Sequence, residues 1–134
     1  MSTSPTEVES FLIREYVMLP LLIKTIDNNL AKMKSEDYGR PVQELYVGVT
    51  SVMIDKINAD LTEVRKSLRE LNIKVWEDRS KNGVGNAIHY RYVCRGFEHE
   101  LVMLREQAKA ELGVRLGKYA KKMEDAAIGA AKQS

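Results

Sequence analysis

Cysteine and histidine are scarce in this chain of 134 residues, which has one Cys and two His. The single thiol, Cys94, cannot form an internal disulfide, and this fits a protein of the reducing cytoplasm. His89 and His99 belong to no His-x-x-x-His, Glu-x-x-His or Cys-x-x-Cys pattern, the spacings that place two metal ligands on one face. We therefore predict no metal site and no cofactor.

Long apolar runs and a strong net charge are also lacking. The most apolar stretch, residues 16–23, is far shorter than the roughly 20 residues that span a bilayer. Glu7, Glu9 and Arg14 interrupt any N-terminal signal pattern. A net charge of +2 is too small to indicate nucleic acid or an anionic membrane by itself. The sequence thus predicts one soluble cytoplasmic domain without a membrane partner, large enough to bury a core.

Two long helices are predicted in the first half of the chain. Ser4-Pro5-Thr6-Glu7 predicts the first helix start, with Ser4 as its cap, and Pro20 predicts a kink within that helix. The second helix should begin near Pro41. Its later apolar residues are spaced four, three, four, three, which is typical of an antiparallel helix pair or coiled coil. The whole stripe is Val42, Leu45, Val49, Met53, Ile57, Leu61, Val64, Leu68 and Leu71.

The period changes to two between residues 73 and 94, which predicts a β-hairpin with a Gly-rich loop. On its first strand Ile73 and Val75 face one way, whereas Lys74 and Trp76 face the other. On the second strand one face holds Ile88, Tyr90, Tyr92 and Cys94, and the other holds His89, Arg91 and Val93. Because an isolated ribbon is marginal in water, we expect its apolar face to pack on the helices.

A third helix is predicted to follow directly after a turn at Gly96. Its apolar stripe begins at Phe97, and Glu111 with Arg115 should form an ion pair on its outside. The predicted fold is therefore mostly α: a helical hairpin plus a third antiparallel helix, with a small β-hairpin inserted between helices two and three. Residues 1–123 form one helical domain with the β-hairpin at 73–94, and residues 124–134 form a frayed tail.

No grouping of side chains predicts catalysis. Cys94 beside Arg95 could be an activated thiol, but a small buried hydrophobe on the apolar hairpin face is the preferred interpretation. Glu98 with Glu100 is typical of a solvated helix face rather than an acid–base pair. Because no nucleophile, base and stabiliser fall together, we expect no enzymatic activity.

The hairpin is the predicted contact surface, and the alternative left open is that it contacts only its own helices. Its exposed aromatic and basic residues, Trp76, Arg79, Lys81 and Arg91, are assigned to contact with an unknown protein partner. This predicts a non-enzymatic interaction or scaffold protein of the cytoplasm. The long helical seams further predict a homodimer, since a rod longer than the globule is wide leaves apolar surface to cover.

The alternative is a nucleic-acid-associated regulator. In that hypothesis the basic residues of the hairpin bind phosphates and its aromatic residues stack on bases. The basic stretch Lys118, Lys121 and Lys122 would contribute further cations.

Scattered motifs resemble a known family. They are Met18-Leu19-Pro20-Leu21, Ile73-Lys74-Val75, Tyr90-Arg91-Tyr92 and Arg95-Gly96-Phe97-Glu98. In these motifs the chain resembles the YhjD-like family of small proteins of Bacillus-type bacteria, over most of residues 11–120. It departs after Glu98, where the family pattern is rich in aromatic residues and Asn. The resemblance implies an α-rich fold with a small hairpin and carries over no site residue.

Overall fold

The computed structural model describes residues 4–36 and 39–133, and it confirms a mostly α fold with a small antiparallel sheet between the second and third helices. The elements in chain order are α1 (Glu7–Ser35), α2 (Arg40–Glu70), β1 (Lys74–Glu77), β2 (Ala87–Cys94), β3 (Phe97–Leu104) and α3 (Arg105–Gln133). Two short 3₁₀ turns, Arg79–Lys81 and Val84–Asn86, lie in the loop between β1 and β2. No helix in this described part is long and apolar enough to cross a membrane.

The start of α1 is shifted from the predicted one. Thr6, not Ser4, is the N-cap: its hydroxyl accepts from the Glu9 amide at 3.1 Å, and the Glu9 carboxylate accepts from the Thr6 amide at 2.8 Å. Both candidate caps are followed by a Glu three residues later, so the sequence spacing alone does not separate them. An ion pair with a residue far along the chain favours Thr6 as the cap, because Arg95 donates to Glu9 at 2.6 Å. The helix continues through the exposed Pro20.

The predicted apolar stripe of α2 is buried only from Met53 to Leu68, and its last predicted member, Leu71, is exposed at the end of the helix. Its five buried members pack against α1 in the main core: Met53, Ile57, Leu61, Val64 and Leu68. Val42, Leu45 and Val49 are exposed. In the first half of α2, the side that faces the core carries the buried Thr50. Its hydroxyl donates to the Tyr46 carbonyl at 2.8 Å. The apolar stripe therefore leaves the core-facing side as the helix approaches its N-terminus.

The sheet has three strands rather than the predicted two. Arg95 and Gly96, with φ of 52° and 78°, form a tight turn that sends the chain back as β3, in the order β1-β2-β3. Residues 97–104 were predicted as the first turns of the third helix, and this was wrong. They pair with all of β2, from Ala87 opposite Leu104 to Cys94 opposite Phe97.

One face of the sheet packs on the helices, as predicted. Its core members are Ile73, Val75, Ile88, Tyr90, Tyr92, Cys94, Leu101 and Met103. Ala108 of α3 shares a cluster with Val17 and Met18 of α1, and further along α3 Glu111 pairs with Arg14. α3 is therefore antiparallel to α1. The predicted fraying of residues 124–134 and the division at residue 123 stay predictions; α3 extends to Gln133, and Ser134 lies outside the described residues.

Candidate interaction surface on the sheet

The side of the sheet that faces away from the helices holds two of the four predicted contact residues, Trp76 and Arg91. We call it the outer sheet face and define it by its members: Lys74, Trp76, His89, Arg91, Val93, Glu98, Glu100 and Val102. Trp76 on β1 lies opposite Arg91 on β2, and Arg91 lies opposite Glu100 on β3. Because cross-strand partners share a face, these three side chains form one row across the whole sheet.

Arg91 is the centre of this row. Its guanidinium donates to Glu100 Oε1 and to Glu98 Oε2, both at 2.7 Å. A carboxylate oxygen of Asp78 lies 3.8 Å from the same group. Hydrogen bonds from Arg91 to Glu98 and Glu100 raise the pKa of the guanidinium further. The cation is thus held in one orientation by two carboxylates of the neighbouring strand.

Lys81 joins the row from the loop. Its ammonium donates to Glu100 Oε1 at 2.9 Å, so one carboxylate oxygen accepts from both Lys81 and Arg91. Both hydrogen bonds lower the pKa of Glu100, and the one from Lys81 has the larger effect. Asp78 accepts from the Ser80 hydroxyl at 2.6 Å, and that bond is the main cause of the lowered pKa of Asp78. The 3₁₀ turn is therefore tied to the sheet, and it presents the exposed Arg79 beside Lys81.

The cations and the tyrosines of the predicted hairpin strands lie on opposite faces of the sheet. Tyr90 and Tyr92 point to the helices, where burial is the main cause of their raised pKa values. Tyr92 also stacks on His99, with ring centroids 5.0 Å apart and planes at 17°. Among the members of the outer sheet face Trp76 is the one Trp, Tyr or Phe, and Arg91 lies among carboxylates.

Glu98 and Glu100 belong to the candidate site, although the sequence did not predict them there. They were assigned to a solvated helix face, whereas they lie on β3 and hold Arg91. A signal was present, because Phe97, His99, Leu101 and Met103 alternate with them at period two. That alternation fits a strand with acidic residues on its open side.

Cys94 is the last residue of β2, and a strand rather than a helix follows the turn after it. The thiol is completely buried, and this burial is the main cause of its raised pKa. A thiol in this state is a poor nucleophile. The structure agrees with the preferred interpretation of Cys94 as a small buried hydrophobe.

A second polar cluster lies in a groove between the helices. The cavity has a volume of about 820 Å³, and its lining includes Phe11, Glu15, Asp60, Val114, Arg115 and Tyr119. Arg115 hydrogen-bonds Glu15 and, at 3.0 Å, Glu111. The predicted pair of Glu111 and Arg115 is thus present, but it lies in the groove and not on the outside, because α1 covers it. Burial and a hydrogen bond to Asp60 raise the pKa of Tyr119.

The remaining basic residues of the nucleic-acid hypothesis also lie in this groove. Lys118, Lys121 and Lys122 line it, apart from the outer sheet face. Lys122 stands over the Tyr119 ring at 5.2 Å, and Lys121 pairs with Asp125 at 3.1 Å. Among the described residues no group of three or more His, Cys, Asp or Glu side chains could hold a metal ion.

Comparison with known proteins identifies a family. The model of the family described as YhjD protein matches residues 4–124. The matched range includes the helical hairpin, the whole sheet and most of α3. No curated protein and no solved structure matches the chain.

Proposed function

The chain belongs to the YhjD family, and we propose that it is a non-enzymatic interaction protein of the cytoplasm whose outer sheet face binds a protein partner. The observation that carries the proposal is the row of Trp76, Arg91 and Glu100 across the sheet. Trp and Arg are the residue types that most often dominate the energy of protein–protein contacts.

The outer sheet face combines apolar and polar contacts in the way that a protein interface does. Trp76 keeps 38% of its surface exposed, and Val102 and Leu104 on β3 are also exposed. The charged pairs of Arg91 lie between these apolar side chains. Protein interfaces likewise combine apolar contacts with directed hydrogen bonds, and Trp and Arg are enriched in them.

The fixed geometry favours binding without a large entropic cost. Arg91 and Lys81 are already held by Glu98 and Glu100, so a partner does not have to order these long side chains. Glu98 and Glu100 keep about half of their side-chain surface exposed, at 49% and 47%. They can therefore accept hydrogen bonds from a partner while they still hold Arg91.

The charge pattern favours a protein over a nucleic acid. A phosphate backbone is bound by cations whose charge is not compensated by the protein itself. Here Glu98, Glu100 and Asp78 surround the central cation. The nucleic-acid hypothesis stays a prediction, and its expected mark is a steep loss of affinity as the salt concentration rises.

The proposal is tested by quantitative capture of proteins from cells of the source organism. The bait is the full chain, compared with the variant Arg79→Glu/Lys81→Glu and with a control, Lys24→Glu/Arg65→Glu, which makes the same change in charge at exposed positions of α1 and α2. A partner of the outer sheet face should be bound by the wild type and the control and lost from the first variant. Helical circular dichroism should be the same for all three proteins.

The captured partner must then be purified and measured directly. Titration calorimetry should give at least a tenfold weaker affinity for Arg79→Glu/Lys81→Glu than for the control. Equal affinity for all three proteins would overturn this assignment of the site.

A further inference from the structure

Asn82 and Gly83 lie in the middle of the loop between β1 and β2. Both residues are exposed, and they link the two 3₁₀ turns, Arg79–Lys81 and Val84–Asn86. Gly83 adopts a φ of 82°, and a Cβ added to it would meet nothing within 4 Å. The loop therefore leaves open space around this pair of residues, as exposed connecting segments generally do.

The side-chain amide of Asn82 and the backbone amide of Gly83 are not held by other groups. In the described part of the chain, the Asn82 side chain has no hydrogen-bond partner and the Gly83 amide donates to none. The Asn82 backbone amide is bonded instead, because it donates to the Arg79 carbonyl at 3.3 Å. Glycine also has no Cβ that would hinder attack by its nitrogen. Asn followed by Gly is for this reason the pair that closes a five-membered imide ring most readily.

The reaction of this pair balances with water as the only added reactant. The Gly83 nitrogen attacks the side-chain carbonyl carbon of Asn82, a C–N bond forms, and ammonia leaves with the amide proton of Gly83. Water then opens the resulting succinimide. Opening at the side-chain carbonyl gives aspartate, and opening at the main-chain carbonyl gives isoaspartate. Either product carries a new carboxylate at position 82.

One rotation is needed before the ring can close. With φ of −58° and ψ of 125° at Asn82, the Gly83 nitrogen lies on the far side of the backbone from the Asn82 side chain. The peptide bond between the two residues must therefore turn. Gly83 accepts a wide range of φ, and its amide is not anchored, so the loop opposes this motion little.

The five other asparagines of the sequence are held against the same reaction. Asn72 precedes the β-branched Ile73, whose amide donates to a carbonyl of α2 at 2.9 Å. Asn86 precedes Ala87, which carries a Cβ and begins β2. Asn82 is the one asparagine that is followed by Gly. The remaining three lie within helices, where hydrogen bonds fix the backbone: Asn28, Asn29 and Asn58.

We propose that Asn82 is a site of spontaneous deamidation, at which the loop between β1 and β2 gains a carboxylate as the protein ages. The new charge follows directly after Lys81, whose ammonium donates to Glu100 at 2.9 Å. Isoaspartate also lengthens the main chain of the loop by one carbon. The reaction itself is independent of the proposed function, whereas an effect on a protein partner rests on it.

Prolonged incubation of the full chain in warm, mildly alkaline buffer tests the site. Digestion with a protease that cuts after Glu releases residues 78–98, which hold both Asn82 and Asn86 and so contain their own control. Mass spectrometry with fragmentation should show conversion of the amide to an acid at least tenfold faster at Asn82 than at Asn86. Helical circular dichroism should stay unchanged, so that the reaction is measured in the folded protein. Equal rates at the two positions, or no conversion at Asn82, would overturn the proposal.

Hydroxylamine at neutral pH tests the ring intermediate. It cleaves a chain at a succinimide, so it should split the incubated protein into residues 1–82 and 83–134. Asn82→Gln is the control, because its longer side chain closes a larger ring much more slowly, and it should stay intact. Conversion at Asn82 without this cleavage would indicate direct hydrolysis of the side chain and would contradict attack by the Gly83 nitrogen.

Discussion

The Arg91 guanidinium on β2 donates at 2.7 Å to a carboxylate oxygen of Glu100 on the neighbouring strand β3. The same oxygen also accepts from Lys81. One acidic side chain thus fixes the centre of the sheet and the loop beside it. The loop between β1 and β2 is otherwise built from short 3₁₀ turns and two glycines with positive φ. The shape of the proposed contact surface therefore depends on Glu100.

Glu100→Gln should loosen this loop. The amide keeps the shape of the side chain but loses the charge that holds Lys81 and Arg91. Limited digestion with trypsin should then cut after Lys81 several-fold faster than in the wild type, as read by peptide mapping. Glu106→Gln, in the first turn of α3, is the control and should leave the rate unchanged. Equal rates in all three proteins would show that Glu100 does not restrain the loop.

Removal of Arg115 should destabilise the fold strongly. Only 15% of its side chain and 13% of that of Glu15 are exposed, so Arg115→Leu leaves a nearly buried carboxylate without this partner. We expect a loss of about 3 kcal/mol in the free energy of unfolding, measured with urea. The double variant Glu15→Leu/Arg115→Leu should recover part of that loss. A double variant less stable than Arg115→Leu alone would contradict this explanation.

Glu111 should make the stability depend on acid pH. Hydrogen bonds from Arg14 are the main cause that lowers its pKa below the ordinary value of 4.5. As the pH falls, the unfolded chain binds this proton first, so the stabilisation is complete above about pH 4.5 and is lost below it. Thermal unfolding between neutral pH and about pH 3 should show a smaller decline in Glu111→Gln than in the wild type. Glu106→Gln should decline like the wild type.

Two apolar residues of α2 should respond differently to truncation. Met53 is buried against α1, whereas Leu45 is exposed in the first half of α2. Met53→Ala should lower the free energy of unfolding by about 3 kcal/mol. Leu45→Ala should change it by less than about 0.5 kcal/mol. Similar losses in the two variants would show that the buried seam includes Leu45.

The elements that the sequence predicts well are those with one clear period. α1, α2 and the pair of β1 and β2 follow from such patterns. β3 does not, because its residues fit both periods: Phe97, Leu101 and Leu104 have helical spacing, whereas Phe97, His99, Leu101 and Met103 alternate. Pairing with β2 decides between them, and that contact depends on the turn at Arg95 and Gly96.

The same ambiguity limits how much of the candidate site can be predicted. Trp76 and Arg91 were predicted to share a face, because the alternation of the hairpin places both away from the core. Glu100 could not be assigned to them while β3 was taken as helix. The exposure of Leu45 was also missed, since spacing predicts a stripe but not which neighbour covers it.

Photo-cross-linking from position 76 tests the central claim most directly. Trp76 is replaced by benzoylphenylalanine in the full chain, produced in cells of the source organism, and Val114 is replaced in a matched control. The proposed function predicts a protein adduct of defined mass from position 76 that is absent from position 114. Identical adducts from both positions, or an adduct that nuclease removes, would contradict a protein-binding role of the outer sheet face.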